Sequence, residues 1–365
     1  MQAMAYHYDR IIVKIGSNVL TQDQGVPDLE RIQHLVEQLA ALKKQGKEVI
    51  VVSSGAVASG RSLISISEKA DAVATRQLLA AIGQVKLINT YADLFSKHGL
   101  ICAQVLVTKE DFRDRQHYLN MQNCFRILLQ NNVIPIVNEN DVISVTELMF
   151  TDNDELAGLI ASMLNADALM ILTNVDGIYN GDPKDPAAEV IPEITAATTD
   201  FTAFVSTQRS QFGRGGMITK CHIAHKVAQL GIAVHIANGK TENILPKVLN
   251  QQIVNTRFVP HKTASGKKKW LAHSENYAKG VVQLNAGAKA ALTSPKATSL
   301  LPVGIVNITG DFQKGDIIRL VDENEKPVGL GIAEYGSDKA RERLGQKNQR
   351  PVVHYDYLFL NAELA

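Results

Sequence analysis

Residues 138–158 read NENDVISVTELMFTDNDELAG, a stretch with six acidic residues and two short polar clusters. The first cluster, Asn138-Glu139-Asn140-Asp141, follows the apolar run VIPIV at 133–137. A short run of that composition predicts a buried parallel strand. The second cluster, Asp152-Asn153-Asp154-Glu155, precedes LAGLIASML, whose apolar spacing predicts a helix. One cluster therefore falls at the C-terminal end of a strand and the other at a helix N-terminus. In an open α/β sheet that edge is where ligands bind. Asn and Asp are also turn and cap residues, and Asp152 or Asn153 would cap the helix with no further role. Two clusters at one predicted edge shift the reading toward a polar ligand. A carboxylate there can hold an ammonium group, and N–H groups at a helix start can hold a carboxylate.

Outward from this stretch, strands and helices alternate. Short apolar runs predict strands at 10–15, 48–52, 100–107, 133–137, 168–173 and 233–237, and helical spacing covers 32–42, 78–95, 118–130 and 221–230. The alternation predicts an α/β domain over residues 1–260, a mostly parallel sheet between helix layers. The character then changes. HKTASGKKK at 261–269 is polar and basic, and it opens an expected linker over 261–276. Period-two segments at 280–284, 304–308, 316–321 and 327–333, separated by glycine turns, predict a small β-rich domain over 277–361.

The 365 residues are 45% apolar and 21% charged, with net charge +1, as in an ordinary soluble globular protein. Such a charge gives no global field for nucleic acid or membrane. From residue 261 onward there are 15 Lys+Arg against 11 Asp+Glu, net +4, which leaves −3 for the rest. Cys102, Cys124 and Cys221 show no C-x-x-C spacing and read as reduced thiols. The N-terminus lacks an apolar signal core, and no run reaches membrane-spanning length, so a cytoplasmic protein is expected.

No Walker A pattern, complete G-x-G-x-x-G, G-x-S-x-G elbow or Cys/His metal spacing is present. What remains is a set of glycine-bearing loops at strand ends. Lys14 ends the first strand, just before Gly16 and Ser17; an ammonium above backbone N–H groups suits a phosphate, although a strand-end lysine is commonly just solvated. Ser53-Ser54-Gly55 ends the second strand in the same way. Gly213-Arg214-Gly215-Gly216-Met217-Ile218-Thr219-Lys220 is more specific: glycines admit a ligand close to the backbone, and the loop opens a helix whose dipole favours an anion.

Together these loops resemble the amino-acid kinase family, in the form that carries a C-terminal PUA domain. The resemblance spans nearly the whole chain. It rests on VKIGSNVLT from Val13, VVSSGAVASG from Val51, QLLAAIGQ from Gln77, VNENDVIS from Val137, TDNDELAGLIA from Thr151, LTNVDGIY from Leu172 and GRGGMITK from Gly213, with the tail from 278 to 301 resembling a PUA start. It implies ATP-dependent phosphorylation of the L-glutamate side-chain carboxylate, the first step of proline synthesis, with Mg2+ accompanying ATP. By position, Lys14 and Lys220 match the family's two phosphoryl-contacting lysines, and Asp154 the carboxylate that organises them. Ser54, Asp141 and Asn153 match glutamate-binding positions. Lys14, Thr173, Asn174, Arg214, Gly215, Gly216, Met217, Ile218, Thr219 and Lys220 match nucleotide-binding ones. No residue is assigned to a metal. Two departures concern the nucleotide: the family commonly has Thr-Asp at Thr173-Asn174, and Gly-Thr-Gly-Gly at 213–216.

The resemblance further implies a homo-oligomer and proline as feedback inhibitor. Two alternatives stay open. One is a related kinase acting on aspartate, acetylglutamate or a nucleoside monophosphate. The other is an RNA-binding PUA protein, which the modest tail charge, with no basic stripe or aromatic platform, does not support.

Overall fold

The computed structural model describes residues 5–22, 25–65, 71–144, 150, 152–183, 185–195, 198, 201, 216–261, 278–294 and 298–360. The chain divides into two compact units, 1–263 and 264–365. The expected linker falls almost wholly outside the described residues.

The first unit contains β1 (Arg10–Ile15), β2 (Glu48–Ser53), β3 (Cys102–Val107), β4 (Ile134–Glu139), β5 (Ala168–Thr173), β6 (Glu193–Ile194), β7 (Ala233–Asn238) and β8 (Thr256–Phe258). Its helices are α1 (Ser17–Leu20), α2 (Leu29–Lys44), α3 (Ala56–Arg61), α4 (Ala72–Ser96), α5 (Lys109–Arg113), α6 (Arg115–Gln130), α7 (Asn153–Leu164), α8 (Met217–Gln229) and α9 (Ile244–Leu249). The sheet order is β3-β4-β2-β1-β5-β7-β8-β6. All pairings are parallel except β7 with β8. Strand β1 lies at the centre. The chain leaves it toward β2 on one side and later returns to β5 on the other, which makes the C-terminal end of β1 the topological switch point.

Alternation along β1 decides where Lys14 goes. Ile11, Val13 and Ile15 enter the core shared with Leu35 and Leu39 of α2, Leu87 and Tyr91 of α4, and Ile244 and Val248 of α9. Ile12 and Lys14 therefore face the other side of the sheet, where α7 packs across β1. Lys14 is buried there, not solvated.

Helices α3 and α4 pack unusually close. A Cβ at Gly83 would sit 1.8 Å from the Ala56 carbonyl oxygen, and one at Gly60 would sit 2.1 Å from that of Leu79. Glycine at both positions lets the backbones meet, and this sets the N-terminal half of α4 beside the loops that follow β2 and β4.

The second unit is built on β9 (Gly280–Leu284), β10 (Ile305–Thr309), β11 (Ile317–Val321), β12 (Pro327–Ile332) and β13 (Leu358–Leu360), in the order β10-β9-β11-β12-β13. Its core is formed by Val282, Leu284, Ile318, Leu320, Val328, Phe312 and Val353 among others. Two short helices, α10 (Ala286–Leu292) and α11 (Ser337–Glu342), complete it. Among the described residues no helix is long and apolar enough to cross a membrane.

Candidate active site

Asp154 is the centre of the switch-point cluster. It occupies the first turn of α7 and is fully buried. Lys14 Nζ, from β1, lies 2.6 Å from its Oδ1. Lys220, from the first turn of α8, donates from Nζ to Oδ2 at 2.7 Å. Burial alone would push the Asp154 carboxyl up; the two ammonium groups outweigh it and hold the group ionised, well below the usual carboxylate range. Burial would likewise lower Lys220, but Asp154 and then Asp152 keep it raised.

Asp152 is the N-cap of α7, accepting from the N–H groups of Asp154 and Glu155 through Oδ1 at 2.9 and 3.1 Å. The N–H groups expected to hold a carboxylate at this helix start are thus already taken by Asp152. Its Oδ2 is buried without a hydrogen-bond partner among the described residues. Burial, then the Asp154 charge, pushes the Asp152 carboxyl up to about 6 against the pull of Lys220 and Lys14.

A second cluster adjoins the first. Asn153 Nδ2 points at Ser54 Oγ (3.1 Å), the Ser53 carbonyl (3.1 Å) and Asn138 Oδ1 (3.0 Å). The end of β4, the end of β2 and the start of α7 therefore meet through one carboxamide. Gly55, at φ +101°, turns the chain out of β2 into α3 just beyond Ser54, a conformation suited to glycine. Behind it, Ser53 Oγ and the buried Tyr91 hydroxyl share a 2.9 Å hydrogen bond.

Asp141 is brought to the same edge, but it is not alone. It is buried, and the Arg76 guanidinium engages its Oδ1 through Nε at 3.1 Å and through Nη2. Arg76 Nη2 also lies 3.8 Å from Glu139 Oε2. Glu139 accepts from Ser144 Oγ at 2.7 Å and the Phe150 N–H at 2.9 Å. Burial pushes both carboxyls up, and Arg76 opposes that rise at each. Gln77 donates to the Val142 carbonyl, so adjacent residues of α4 clamp the turn carrying Asp141.

Thr173 ends β5, beside β1, and Thr173 Oγ1 donates to the exposed Asn174 at 3.3 Å. Gly216 is the N-cap of α8 and offers no side-chain cap, so the N–H groups of Met217, Ile218 and Thr219 open that helix without a capping side chain. Arg214 and Gly215 lie outside the described residues. Sequence reasoning missed Arg76 and Asn138 as site residues. Asn138 stood inside the quoted cluster; Arg76 lies 65 positions from its partner, in a helix whose spacing speaks only of packing.

The arrangement has two lysines on one buried carboxylate, an uncapped helix start beside them and a polar pocket of serine and asparagine. Such an arrangement is suited to neutralising and positioning an anionic group such as a phosphoryl, and it offers no evident base for generating a nucleophile.

The profile of the amino acid kinase family matches residues 9–238, and that of the PUA domain residues 280–355. A glutamate 5-kinase of Bacteroides thetaiotaomicron is 55% identical over 360 residues, covering 98% of this chain and 100% of that protein. A glutamate 5-kinase of Chlorobaculum tepidum is 53% identical, covering 97% and 98%. A solved isopentenyl phosphate kinase in complex with substrate shares the fold at 18% identity and TM-score 0.50, covering 68% of this chain and 99% of its own. With its parallel sheet, its lysine pair and a family match over most of its length, the chain belongs to the amino acid kinase family and carries a C-terminal PUA domain.

Proposed function

We infer that the chain catalyses ATP-dependent phosphorylation of the side-chain carboxylate of L-glutamate, giving L-glutamyl 5-phosphate, the first step of proline biosynthesis. Near-full-length similarity to proteins named glutamate 5-kinase supports the substrate. The single observation that carries the chemistry is the buried Lys14–Asp154–Lys220 cluster.

A glutamate side chain has an ordinary pKa near ~4.3 and is already anionic at neutral pH, so no general base is needed. The obstacle is repulsion between that carboxylate and the triphosphate. Lys14 and Lys220 offset it, and Asp154 keeps both ammonium groups in place without quenching their combined charge. Lys14, Thr173, Asn174 and the segment Arg214, Gly215, Gly216, Met217, Ile218, Thr219 and Lys220 form the proposed nucleotide site. Ser54, Asp141 and Asn153 form the proposed glutamate site.

ATP chemistry in such an enzyme requires a divalent metal, and Mg2+ is the proposed ion. Among the described residues no group of three or more His, Cys, Asp or Glu side chains is placed to cage one. Both oxygens of Asp154 face lysines. This donor set fits a hard cation held chiefly by phosphate oxygens and water. When bound, the ion neutralises charge on those oxygens.

The proposed domain limits are 1–260 and 277–361. A cytoplasmic homo-oligomer with proline as end-product inhibitor completes the reading. Edge strand β3 with its exposed Leu106, and the exposed apolar Ile101 and Val85 near it, support self-association.

The test is Lys220→Met. A folded variant should lose kcat by roughly 10²–10³, with glutamate KM little changed, as for removal of one group that stabilises developing charge. A kcat near that of the parent chain would remove Lys220 from the mechanism.

A further inference from the structure

The glutamate head group carries two opposite charges, and the described site holds a matching pair. The reacting carboxylate belongs at the lysine cluster, so the α-ammonium and α-carboxylate must be read elsewhere. Asp141 is the proposed partner of the ammonium; this inference rests on that reading. A carboxylate brought beside Asp141 and Glu139 needs a cation. At the sheet edge, Lys14 and Lys220 are committed to Asp154, and Lys109 pairs with Glu155 at 3.2 Å. Among the described residues, Arg76 is the cation in direct contact with Asp141.

We propose that Arg76 is a specificity-determining residue that binds the α-carboxylate of the amino-acid substrate while Asp141 binds its α-ammonium group. Three observations converge. Arg76 Nε and Nη2 both donate to one oxygen of Asp141, Oδ1. The guanidinium is about one-third exposed, unlike the buried carboxylates beside it, so it can turn a planar donor edge to an incoming ligand. Gln77 holds the Asp141 turn through the Val142 carbonyl, so the turn keeps an anchor when Arg76 shares its contacts.

The electrostatic logic is exchange. In the free protein Arg76 and Asp141 satisfy each other, and no charge is buried alone. A zwitterionic head group inserts opposite charge against each, giving a closed set of four alternating charges with charge-assisted hydrogen bonds. A ligand lacking either group leaves one protein charge without its new partner. The pair thus selects for an intact α-amino acid head group.

The test compares L-glutamate with 4-aminobutyrate, which lacks the α-carboxylate, and glutarate, which lacks the ammonium. Each is measured on the full chain as substrate or as competitive inhibitor, beside a melting curve. Arg76→Met should weaken glutamate about ten- to a hundredfold and leave 4-aminobutyrate no weaker than in the parent chain. Arg76→Lys, which keeps a charge but not the fork, should fall between and carries the comparison if the Met variant does not fold. Equal weakening of glutamate and 4-aminobutyrate would make Arg76 only a support for the Asp141 turn and overturn the proposal, as would an unchanged glutamate KM. Asp141→Asn separates the underlying reading: it should weaken glutamate and 4-aminobutyrate but spare glutarate. If that pattern holds while the Arg76 pattern fails, only the present proposal falls; if it fails, the ammonium assignment falls.

Discussion

At the scale of single residues, the site depends on where burial places charge. Asp152 sits beside the more strongly anionic Asp154, and its carboxyl is pushed up to about 6 from an ordinary 3.8. Because the folded value is the higher one, the folded chain takes up this proton before the unfolded chain as pH falls. The cost of the buried carboxylate is present above pH 6 and is relieved as pH drops through 6 toward 4. Asn keeps the cap and carries no charge. Asp152→Asn should therefore melt higher than the parent chain at pH 8, with the gap closing by pH 5. Melting curves at the two pH values check this, and a gap that widens on acidification would contradict it. Lys14 shows what sequence could and could not give here. Its position at the end of a strand was legible, and solvation was the ordinary expectation. Its burial follows from β1 alternation and from α7 packing across that strand, which a linear pattern does not display.

At the scale of elements, most strands and helices of the first unit were legible, because buried parallel strands are short apolar runs and the helices between them are amphipathic. Strands β6 and β8 were not, since two or three residues carry no period. The same holds for α10, whose AGAKAAL sequence has little apolar contrast. The partnership of Arg76 with Asp141 was illegible for another reason: it depends on the crossing of α3 and α4. That crossing is set by backbone contact at Gly60 and Gly83. Gly83→Ala would place a methyl group against the Ala56 carbonyl and drive the helices apart. Overpacking of this kind costs about 1–3 kcal/mol. The variant should melt lower, and glutamate KM should rise more than ATP KM, because α3 hangs from Ser54 and α4 carries Arg76. A variant with a lowered melting point but unchanged glutamate KM would show that the crossing supports the fold and not the substrate pocket.

At the scale of the molecule, the sequence pattern changes from alternating α/β to period-two β near residue 261, and the chain forms two compact units, 1–263 and 264–365. Every described residue assigned to the chemistry lies in the first. A chain ending at Thr263 should fold and retain substantial kinase turnover; a folded but inactive truncation would make the second unit part of the working site. The claim on which the account stands is that a glutamate carboxylate oxygen, not water, attacks the terminal phosphorus at the Lys14–Asp154–Lys220 cluster. The most direct measurement supplies L-glutamate labelled with 18O in its side-chain carboxylate, together with ATP, a divalent metal and hydroxylamine. Hydroxylamine attacks the acyl carbon of the product and expels phosphate with the bridging oxygen. The expected result is one 18O in each released phosphate and one hydroxamate for each ADP, with little turnover of D-glutamate, L-aspartate or N-acetyl-L-glutamate in parallel. Unlabelled phosphate without hydroxamate would mean attack by water, and would contradict it.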